Sequence, residues 1–271
     1  MWVAHLRSKG LVIPRPGVAA KKIELIGYER LRIYFASRRL NAPGRPFAQN
    51  TKYSDILALY AFDSKLRSLC FEACGVFEVA FRNSISEALS SNHGGHAHID
   101  VLCYATPKDR KDALGQLTKI YVGSKDARST HYISKYSSPP IPPIWVVKEF
   151  FTFGSSVKFY KHLNNSIKNR VARDFGLPSH VEMTSWVGCL VDLRNICAHH
   201  DRLFNRSFQK QPITLNPTGV PSALTNKNKL KAIIECLDYM LKARGIDSDL
   251  VVSVGKLISK TPSVTPSEVG Y

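Results

Sequence analysis

Residues 194–200 bring together side chains that can carry out acid–base chemistry on a phosphate ester. The segment is Arg194-Asn195-Ile196-Cys197-Ala198-His199-His200. A histidine side chain titrates near neutrality, so its imidazole can accept or deliver a proton. Arginine stays charged and can bind the oxygens of a transition-state phosphorus bidentately. Because RNA supplies its own nucleophile, the 2′-hydroxyl, these residue types predict cleavage of RNA without a metal or another cofactor.

The two histidines differ in where a helix would place them. Ser179 and Glu182 predict an N-terminal capping box for a helix that extends toward Arg206. With Arg194 at zero and about 100° per residue, the apolar side chains fall between about 200° and 320°. They are Trp186, Leu190, Leu193, Ile196, Cys197 and Phe204. The polar group, between about 80° and 160°, consists of Asp192, Asn195, His199, Arg202 and Arg206.

This projection predicts a role for each member of the segment. The predicted catalytic residues are Arg194, Asn195 and His199. Arg202 and Arg206 extend a basic face that would bind RNA, whereas His200 falls in the apolar arc and is expected to be a core histidine that donates to a backbone carbonyl. The competing interpretation is that the segment is structural, since an arginine and a histidine at this spacing also occur in helices without catalytic function.

The charge of the chain predicts a polyanionic partner. Lys and Arg outnumber Asp and Glu by 38 to 21, which gives a formal net charge of +17 for 271 residues. Basic side chains that neutralise phosphates release condensed counterions, so nucleic acid is the first expectation. An anionic membrane surface is the second. A basic protein without such a partner is the remaining alternative.

The sequence predicts a cytoplasmic protein without an export signal or a membrane span. Residues 1–10 lack an apolar signal region, and no apolar run reaches the roughly 18 residues of a spanning helix. Six scattered cysteines without a C-x-x-C pair favour reduced core thiols over disulfides or a zinc site. His93, His96 and His98 flank a glycine pair, for which a loop after a helix is favoured over a metal site.

Apolar residues at helical spacing predict an all-α fold, a helical bundle with additional helices. Residues 1–18 are expected to be an extended lead-in, 19–260 the helical domain and 261–271 a flexible tail. Within the domain, the sequence predicts helices over 19–40, from Ser54 onward with a bend or split at Gly75, and over 108–122. Further helices are expected over 144–163, 167–175 and 230–245. Residues 123–143, which end in a proline-rich run, are expected to be irregular and to mark a possible sub-boundary.

Several stretches of the chain resemble the Abi-like family of bacterial phage abortive-infection proteins, the AbiD/AbiF group. The strongest is residues 193–206, LRNICAHHDRLFNR. Residues 62–67 (FDSKLR) and 77–82 (FEVAFR) are similar to two further elements of the family. Residues 28–31, 131–136, 142–147 and 153–154 follow the family pattern in order, so the resemblance spans roughly residues 11–212.

This family resembles the HEPN superfamily. That resemblance implies a specific motif, a metal-independent reaction and a dimeric active site. HEPN ribonucleases carry R-x4-6-H with a polar residue after the arginine, which Arg194, Asn195 and His199 match. They act without metal and build the active site from two motif copies, so a homodimer is implied here. Glu78 and Arg82 share a helix face as an i,i+4 pair. They are either a plain ion pair or part of the same cleft as Arg194, with Arg82 as a further RNA contact and Glu78 in a supporting role.

Three hypotheses for function follow. The first is an endoribonuclease of phage defence that is silent until infection. The second is an RNA-binding protein that holds a small non-coding, antitoxin-like RNA without cleaving it. The third is a scaffold for protein interactions, which explains the fold but does not account for the net charge of +17.

Overall fold

The computed structural model describes residues 1–216, 218–221 and 226–271, and within these residues the protein is all-α, as predicted. The helices are α1 (Trp2–Ser8), α2 (Pro16–Ile26), α3 (Tyr28–Ala36), α4 (Tyr53–His93), α5 (Pro107–Tyr121), α6 (Ala127–Lys135), α7 (Ile144–Val147), α8 (Phe153–His162), α9 (Asn165–Asp174), α10 (His180–Ala198), α11 (Leu230–Ala243) and α12 (Leu250–Ser259). Pairing between extended segments of the described residues is limited to isolated β-bridges. The more specific HEPN-like bundle stays a prediction.

Helix α4 is the central element and is longer than the sequence predicts. It runs without interruption for 41 residues, or about 60 Å, so a split at Gly75 is wrong, whereas the alternative of a bend there stays a prediction. Gly75 costs about 1 kcal/mol in a helix interior, and the buried side chains on either side of it, Cys70, Cys74, Phe77 and Phe81, offset that cost. The helix begins at Tyr53, where the Lys52 amide donates to the Asp55 carboxylate at 2.9 Å. Neither α4 nor any other helix of the described residues is both long and apolar enough to cross a membrane.

Several helices pack on α4, and α10 is one of them. Helices α3, α9, α10 and α12 all pack along α4. The core beside α10 is rich in aromatic rings that meet edge-on or tilted, such as Phe77 with Phe153 and Phe81 with Tyr160, whose centroids are 5.9 and 5.4 Å apart. This packing fixes the orientation of α10 and of the residues that follow it.

The N-terminal region and the segment after α5 are more helical than predicted. The expected lead-in, residues 1–18, contains α1 and the start of α2, so its extended conformation is wrong. The helix predicted over 19–40 is divided into α2 and α3 at Gly27, whose φ of 92° is a conformation that favours glycine. Residues 123–143, predicted to be irregular, contain α6, and α12 was not predicted at all.

The last eleven residues are packed against the body of the protein, so the prediction of a flexible tail is wrong. Val264 and Val269 are buried in the core. Glu268 pairs with Arg38 of the segment after α3, with an oxygen–nitrogen distance of 2.5 Å. The Glu268 carbonyl also accepts from the Asn205 amide at 2.8 Å, which ties the tail to the loop after α10. The division of the chain into domains stays a prediction.

Candidate active site

Helix α10 is oriented by one buried face, and the candidate site lies on the opposite side of its last turn. The Ser179 hydroxyl caps the helix by accepting from the Val181 amide at 3.1 Å, and it donates to the Glu182 carboxylate. The buried face includes Trp186, Leu190, Leu193, Ile196 and Cys197, whereas Asn195 is exposed. The predicted division of this helix into an apolar and a polar side is therefore confirmed.

Helix α10 ends at Ala198, so the prediction that it extends further is wrong. His200 adopts a φ of 56°, in the left-handed region. Its amide donates to the Cys197 carbonyl at 3.1 Å, and the Asp201 amide donates to the Ile196 carbonyl at 2.9 Å. These two hydrogen bonds form a Schellman motif, which satisfies the last carbonyls of a helix and turns the chain away from it.

The prediction that His200 belongs to the core is also wrong, because its side chain is exposed. The helical projection assumed that helical backbone continues through residue 200, and the positive φ breaks that assumption. The role of His200 in the structure is carried by its main chain. Its carbonyl accepts from the Arg30 guanidinium of α3 at 2.7 Å, which helps to hold the turn after α10 in place.

One buried carboxylate fixes the path of the motif loop, residues 199–205. Asp63 of α4 is fully buried. Its Oδ1 atom accepts from the amides of Leu203 and Phe204 at 3.0 and 2.7 Å. Its Oδ2 atom accepts from the Tyr34 hydroxyl and the Arg67 guanidinium, both at 2.5 Å. A buried charge is tolerated only when it is paired and hydrogen-bonded in this way, so these four donors and Asp63 define one position for the loop.

Tyr34, Asp63 and Arg67, which we call the anchor cluster, are placed to hold the loop rather than to react. Burial, followed by the nearby Asp63 carboxylate, raises the pKa of Tyr34, so its phenol remains a hydrogen-bond donor. Arg67 also approaches the Asp201 carbonyl of the loop at 3.5 Å. Cys197 lies close by, and burial raises the pKa of its thiol to about 12, which keeps it neutral.

The other side of the same helix end opens into a cleft of about 400 Å³. It is lined by Asp192, Asn195, Ile196, His199, Asp201, Arg206, Ser207, Phe208 and Gln209. Asn195 and His199 are both exposed at this wall, as the helical projection predicted. Asp192 is paired with Lys210 at 2.7 Å, so one of the two carboxylates at the cleft already has a counter-charge. The cleft thus presents an imidazole, an amide and a guanidinium to solvent.

Arg194 lies at the edge of this arrangement and contacts α4. Its guanidinium is 3.4 Å from a Glu78 carboxylate oxygen and 3.4 Å from the Asn195 side-chain oxygen. The other oxygen of Glu78 is 3.7 Å from Arg82, and Arg82 donates to the Phe151 carbonyl at 3.0 Å. Glu78 therefore lies between Arg82 and Arg194, and a cleft shared by all three residues stays a prediction. Arg194 is not among the residues that line the His199 cleft and joins it through Asn195.

Arg202 of the motif loop and Arg206, which directly follows the loop, differ in what they contact. Arg202 donates to the carbonyls of Phe204 and Asn205, both at 2.9 Å, and thereby shapes the loop. Burial, with a smaller effect of nearby Arg206, lowers the pKa of Arg202. Arg206 donates to the Arg202 carbonyl at 3.1 Å and also lines the cleft. Arg206 is thus the better placed of the two to meet a ligand.

His93, the last residue of α4, and the two histidines that follow it lie at one turn of the chain. His93 Nδ1 is 2.7 Å from the Asp100 carboxylate, and Cys103 lies close enough that the three ligand atoms fall within 4.8 Å of one another. Burial raises the pKa of the Cys103 thiol to about 12. His98 is fully buried, and that burial, with a smaller effect of His96, lowers its pKa to about 4. His93 and Asp100 thus already bond to each other directly.

The anchor cluster is the part of the site that sequence reasoning missed. Residues 62–67 were noticed only as a stretch that resembles a family element, and nothing in their local spacing shows that Asp63 binds residues 203 and 204. Arg30 lies in another such stretch, residues 28–31, and for Tyr34 the sequence predicts only an apolar position of a helix. The available signal is an aspartate that directly follows an apolar run, residues 56–62, with an arginine four residues after it.

One comparison with known proteins finds a match over most of the chain. A family model described as Abi-like protein matches residues 21–205, which include Asp63, Glu78, Arg194 and the motif loop. No curated protein sequence matches the chain, and no solved structure matches it either.

Proposed function

Because the chain belongs to the Abi-like protein family, a membership that supports a role in phage abortive infection, we propose that it acts by cleaving RNA. The single observation that carries this proposal is that Asn195 and His199 are both exposed on the wall of one open cleft, with Arg194 beside Asn195. The proposal places the protein in the cytoplasm, where host and phage RNA occur. Neither a metal nor a cofactor takes part in the reaction described below.

The proposed reaction is an internal transesterification. The 2′-oxygen attacks the adjacent phosphorus, the bond from phosphorus to the 5′-oxygen breaks, and the products are a 2′,3′-cyclic phosphate and a free 5′-hydroxyl. His199 takes the proton of the 2′-hydroxyl or delivers one to the leaving 5′-oxygen. Arg194 neutralises the charge that builds up on the phosphorus oxygens, and Asn195 orients the imidazole or a phosphate oxygen.

One chain supplies His199 for only one of these two proton transfers. A second copy of the chain would supply the other histidine, so the proposal includes a homodimer with two motif loops facing one RNA. The net charge of +17 supports RNA as the ligand, and Arg206 supports a phosphate contact inside the cleft.

A specific observation also favours the second candidate, RNA binding without cleavage. Arg194 is 3.4 Å from Glu78, a carboxylate that also neighbours Arg82. In this conformation the Arg194 guanidinium is already partly neutralised, which is the arrangement expected of a site that holds RNA through other cations.

The test is cleavage of total RNA by the purified protein in EDTA. We expect wild-type protein to cut and His199→Ala and Arg194→Ala to lose about 10²- to 10⁴-fold of that activity. His131→Ala, which removes another exposed histidine on α6, is the matched control and should cut normally. A short RNA with 2′-deoxyribose at the cleaved position should resist cutting, because its nucleophile is gone.

The proposal fails if the wild type makes no cuts or if both variants cut as well as the control. Cutting that leaves 5′-phosphate ends would also overturn it, since attack by the 2′-hydroxyl produces 5′-hydroxyl ends. His200→Ala is a further control. Because its side chain is exposed and its contact is made by the main chain, this variant should fold and should retain activity.

A further inference from the structure

The positive charge of the protein is concentrated in its first 52 residues. They contain eleven Lys or Arg and two Asp or Glu, a net charge of +9 out of +17 for the whole chain. This region consists of α1, α2, α3 and the loop that leads to α4. Such a density of one sign on a small surface raises the local concentration of polyanions.

Three arginines of this region meet around a cleft of about 390 Å³ on α3. They are Arg32, Arg39 and Arg45, and the carboxylate beside them is Glu29. Glu29 pairs with Arg32 at 3.0 Å. The Arg39 guanidinium lies 4.9 Å from the centre of the Phe47 ring, and its Nε atom is buried without a hydrogen-bond partner. Arg45 is exposed, and no carboxylate of the described residues pairs with it.

A stacked pair of aromatic rings, one exposed and one half-buried, adjoins the arginines. The rings of Trp2 and Tyr28 stack with centroids 3.8 Å apart and planes 10° apart, and 46% of Trp2 is exposed. Tyr28 lines the arginine cleft and also a second cleft of about 370 Å³, whose other wall includes Trp2 and Gly27. The two clefts therefore meet at the Tyr28 ring.

We propose that these adjoining clefts bind single-stranded RNA at a site separate from the His199 cleft. The guanidiniums of Arg39 and Arg45 are suited to a backbone phosphate, which planar cations bind bidentately. The outer face of Trp2 is suited to an unpaired base, since base–aromatic stacking tolerates any sequence. Unpaired bases are required because a duplex keeps its base faces covered.

The position of this site relates it to the motif loop. Arg30, on the same helix as Tyr28 and Arg32, donates to the His200 carbonyl at 2.7 Å. Helix α3 has nine residues and is about 14 Å long, so one short helix carries both the arginine cleft and a contact with the motif loop. The inference rests on the proposed function for the identity of the ligand as RNA, but not for cleavage.

The experiment measures binding with a probe that cannot be cleaved. The probe is a fluorescein-labelled 2′-O-methyl oligouridine of about 12 nucleotides, within the site sizes typical of single-strand binders. The full-length double variant Arg39→Gln, Arg45→Asn is compared with Lys256→Gln, Lys260→Gln, which removes the same charge from exposed positions at the end of α12. Asparagine is chosen at residue 45 because Arg45 has a φ of 46°, which asparagine tolerates.

We expect the Arg39, Arg45 variant to bind at least about 10-fold more weakly than wild type in moderate salt. Its plot of log affinity against log salt should be shallower by about 1.4, the value for two single-strand phosphate contacts. The Lys256, Lys260 variant should stay within about 2-fold of wild type, since distant exposed charges are screened. Equal losses in the two double variants would overturn the proposal. So would a wild-type protein that binds anionic lipid vesicles but does not bind the probe. Arg45→Asn alone, in an exposed loop, gives the same test if the double variant is unstable.

The aromatic contact has its own readout. Trp2→Ala should weaken probe binding by about 5- to 100-fold, whereas Leu25→Ala, which removes an apolar side chain that is 86% exposed on α2, should not. In a Trp145→Phe background, the remaining tryptophans are Trp2 and the fully buried Trp186. Quenching of fluorescence by the probe then reports on Trp2, and an absence of quenching at saturation would overturn stacking. Because the probe lacks a 2′-hydroxyl, these outcomes are independent of whether the protein cleaves RNA.

Discussion

The two sides of the C-terminal end of α10 are built in opposite ways. On the α4 side, Asp63 is fully buried and accepts four hydrogen bonds that hold the motif loop. On the cleft side, Asn195 and His199 are exposed and face about 400 Å³ of open space. Side chains that are buried and fully bonded contribute to stability, whereas exposed polar groups without strong partners are free to meet a ligand. The difference separates the residues that shape the site from those proposed to act in it.

The largest expected effect is the loss of the anchor. Asp63→Ala removes the acceptor for two amides, the Tyr34 hydroxyl and Arg67, and leaves the buried arginine without its counter-charge. We expect a decrease of about 3–5 kcal/mol in the free energy of unfolding, measured by urea denaturation. Asp112→Ala, on the exposed face of α5, is the control and should be nearly neutral. A similar small effect at Asp63 would contradict the assigned role.

A smaller effect is expected from removing a single donor of the anchor cluster. Tyr34→Phe keeps the ring but removes the hydroxyl that lies 2.5 Å from Asp63. A hydrogen bond to a charged group contributes about 1.5–3 kcal/mol, so the midpoint of urea unfolding should fall accordingly. Tyr60→Phe is the matched control, because the Tyr60 ring meets Tyr34 edge-on and is only partly buried. If the two variants unfold alike, Asp63 does not depend on Tyr34.

The link between the tail and the loop should depend on pH. Hydrogen bonds from Arg38 and the Thr265 amide outweigh the opposing effect of burial and hold the pKa of Glu268 below its ordinary value of 4.5. A carboxyl with a lowered pKa stabilises the fold when ionised, so its contribution is complete above 4.5 and is lost as the pH falls through the lower folded value. Glu268→Gln should therefore lower the melting temperature by a few degrees at pH 7.

This difference between Glu268→Gln and wild type should disappear in acid. Below the folded pKa of Glu268 both proteins carry a neutral side chain at residue 268, so their melting temperatures should converge. Glu24→Gln, on the exposed face of α2, is the control and should show no such dependence. A difference that is constant from neutral pH to acid would mean that the charge of Glu268 does not hold the tail.

The smallest expected effect on stability is at the proposed catalytic histidine. His199→Ala should change the free energy of unfolding by no more than about 0.5 kcal/mol, as for surface positions in general. The measurement is the same urea denaturation used for the anchor variants. A loss as large as that of Tyr34→Phe would show that the cleft side is also structural, and the contrast between the two sides would then be wrong.

The features of α10 that follow from helical period were predictable from sequence. The Ser179 cap, the buried arc and the exposure of Asn195 depend only on residues within a few turns of one another. The end of the helix was not predictable in the same way. A projection at constant angle carries no information about where the backbone changes to the left-handed region, and this is why His200 was misplaced.

Contacts between distant parts of the chain could not be predicted from the sequence either. Asp63 and its amide partners are separated by 140 and 141 residues, so no local pattern indicates that they meet. The tail was misjudged for the same reason: its polar composition favours disorder, but its burial depends on Arg38, 230 residues earlier. The all-α class was accessible because it needs only the sum of local patterns.

The bond between Glu268 and Asn205 has a consequence for the order of events during protein synthesis. The motif loop accepts a hydrogen bond from Arg30 of α3 and donates to Asp63 of α4, both of which leave the ribosome before the loop, and it donates another to residue 268, which leaves after it. A nascent chain that has already exposed His199 therefore still lacks the last contact that fixes the loop. The proposed reactive residues are therefore held in their final position only after residue 268 has left the ribosome and bonded to Asn205.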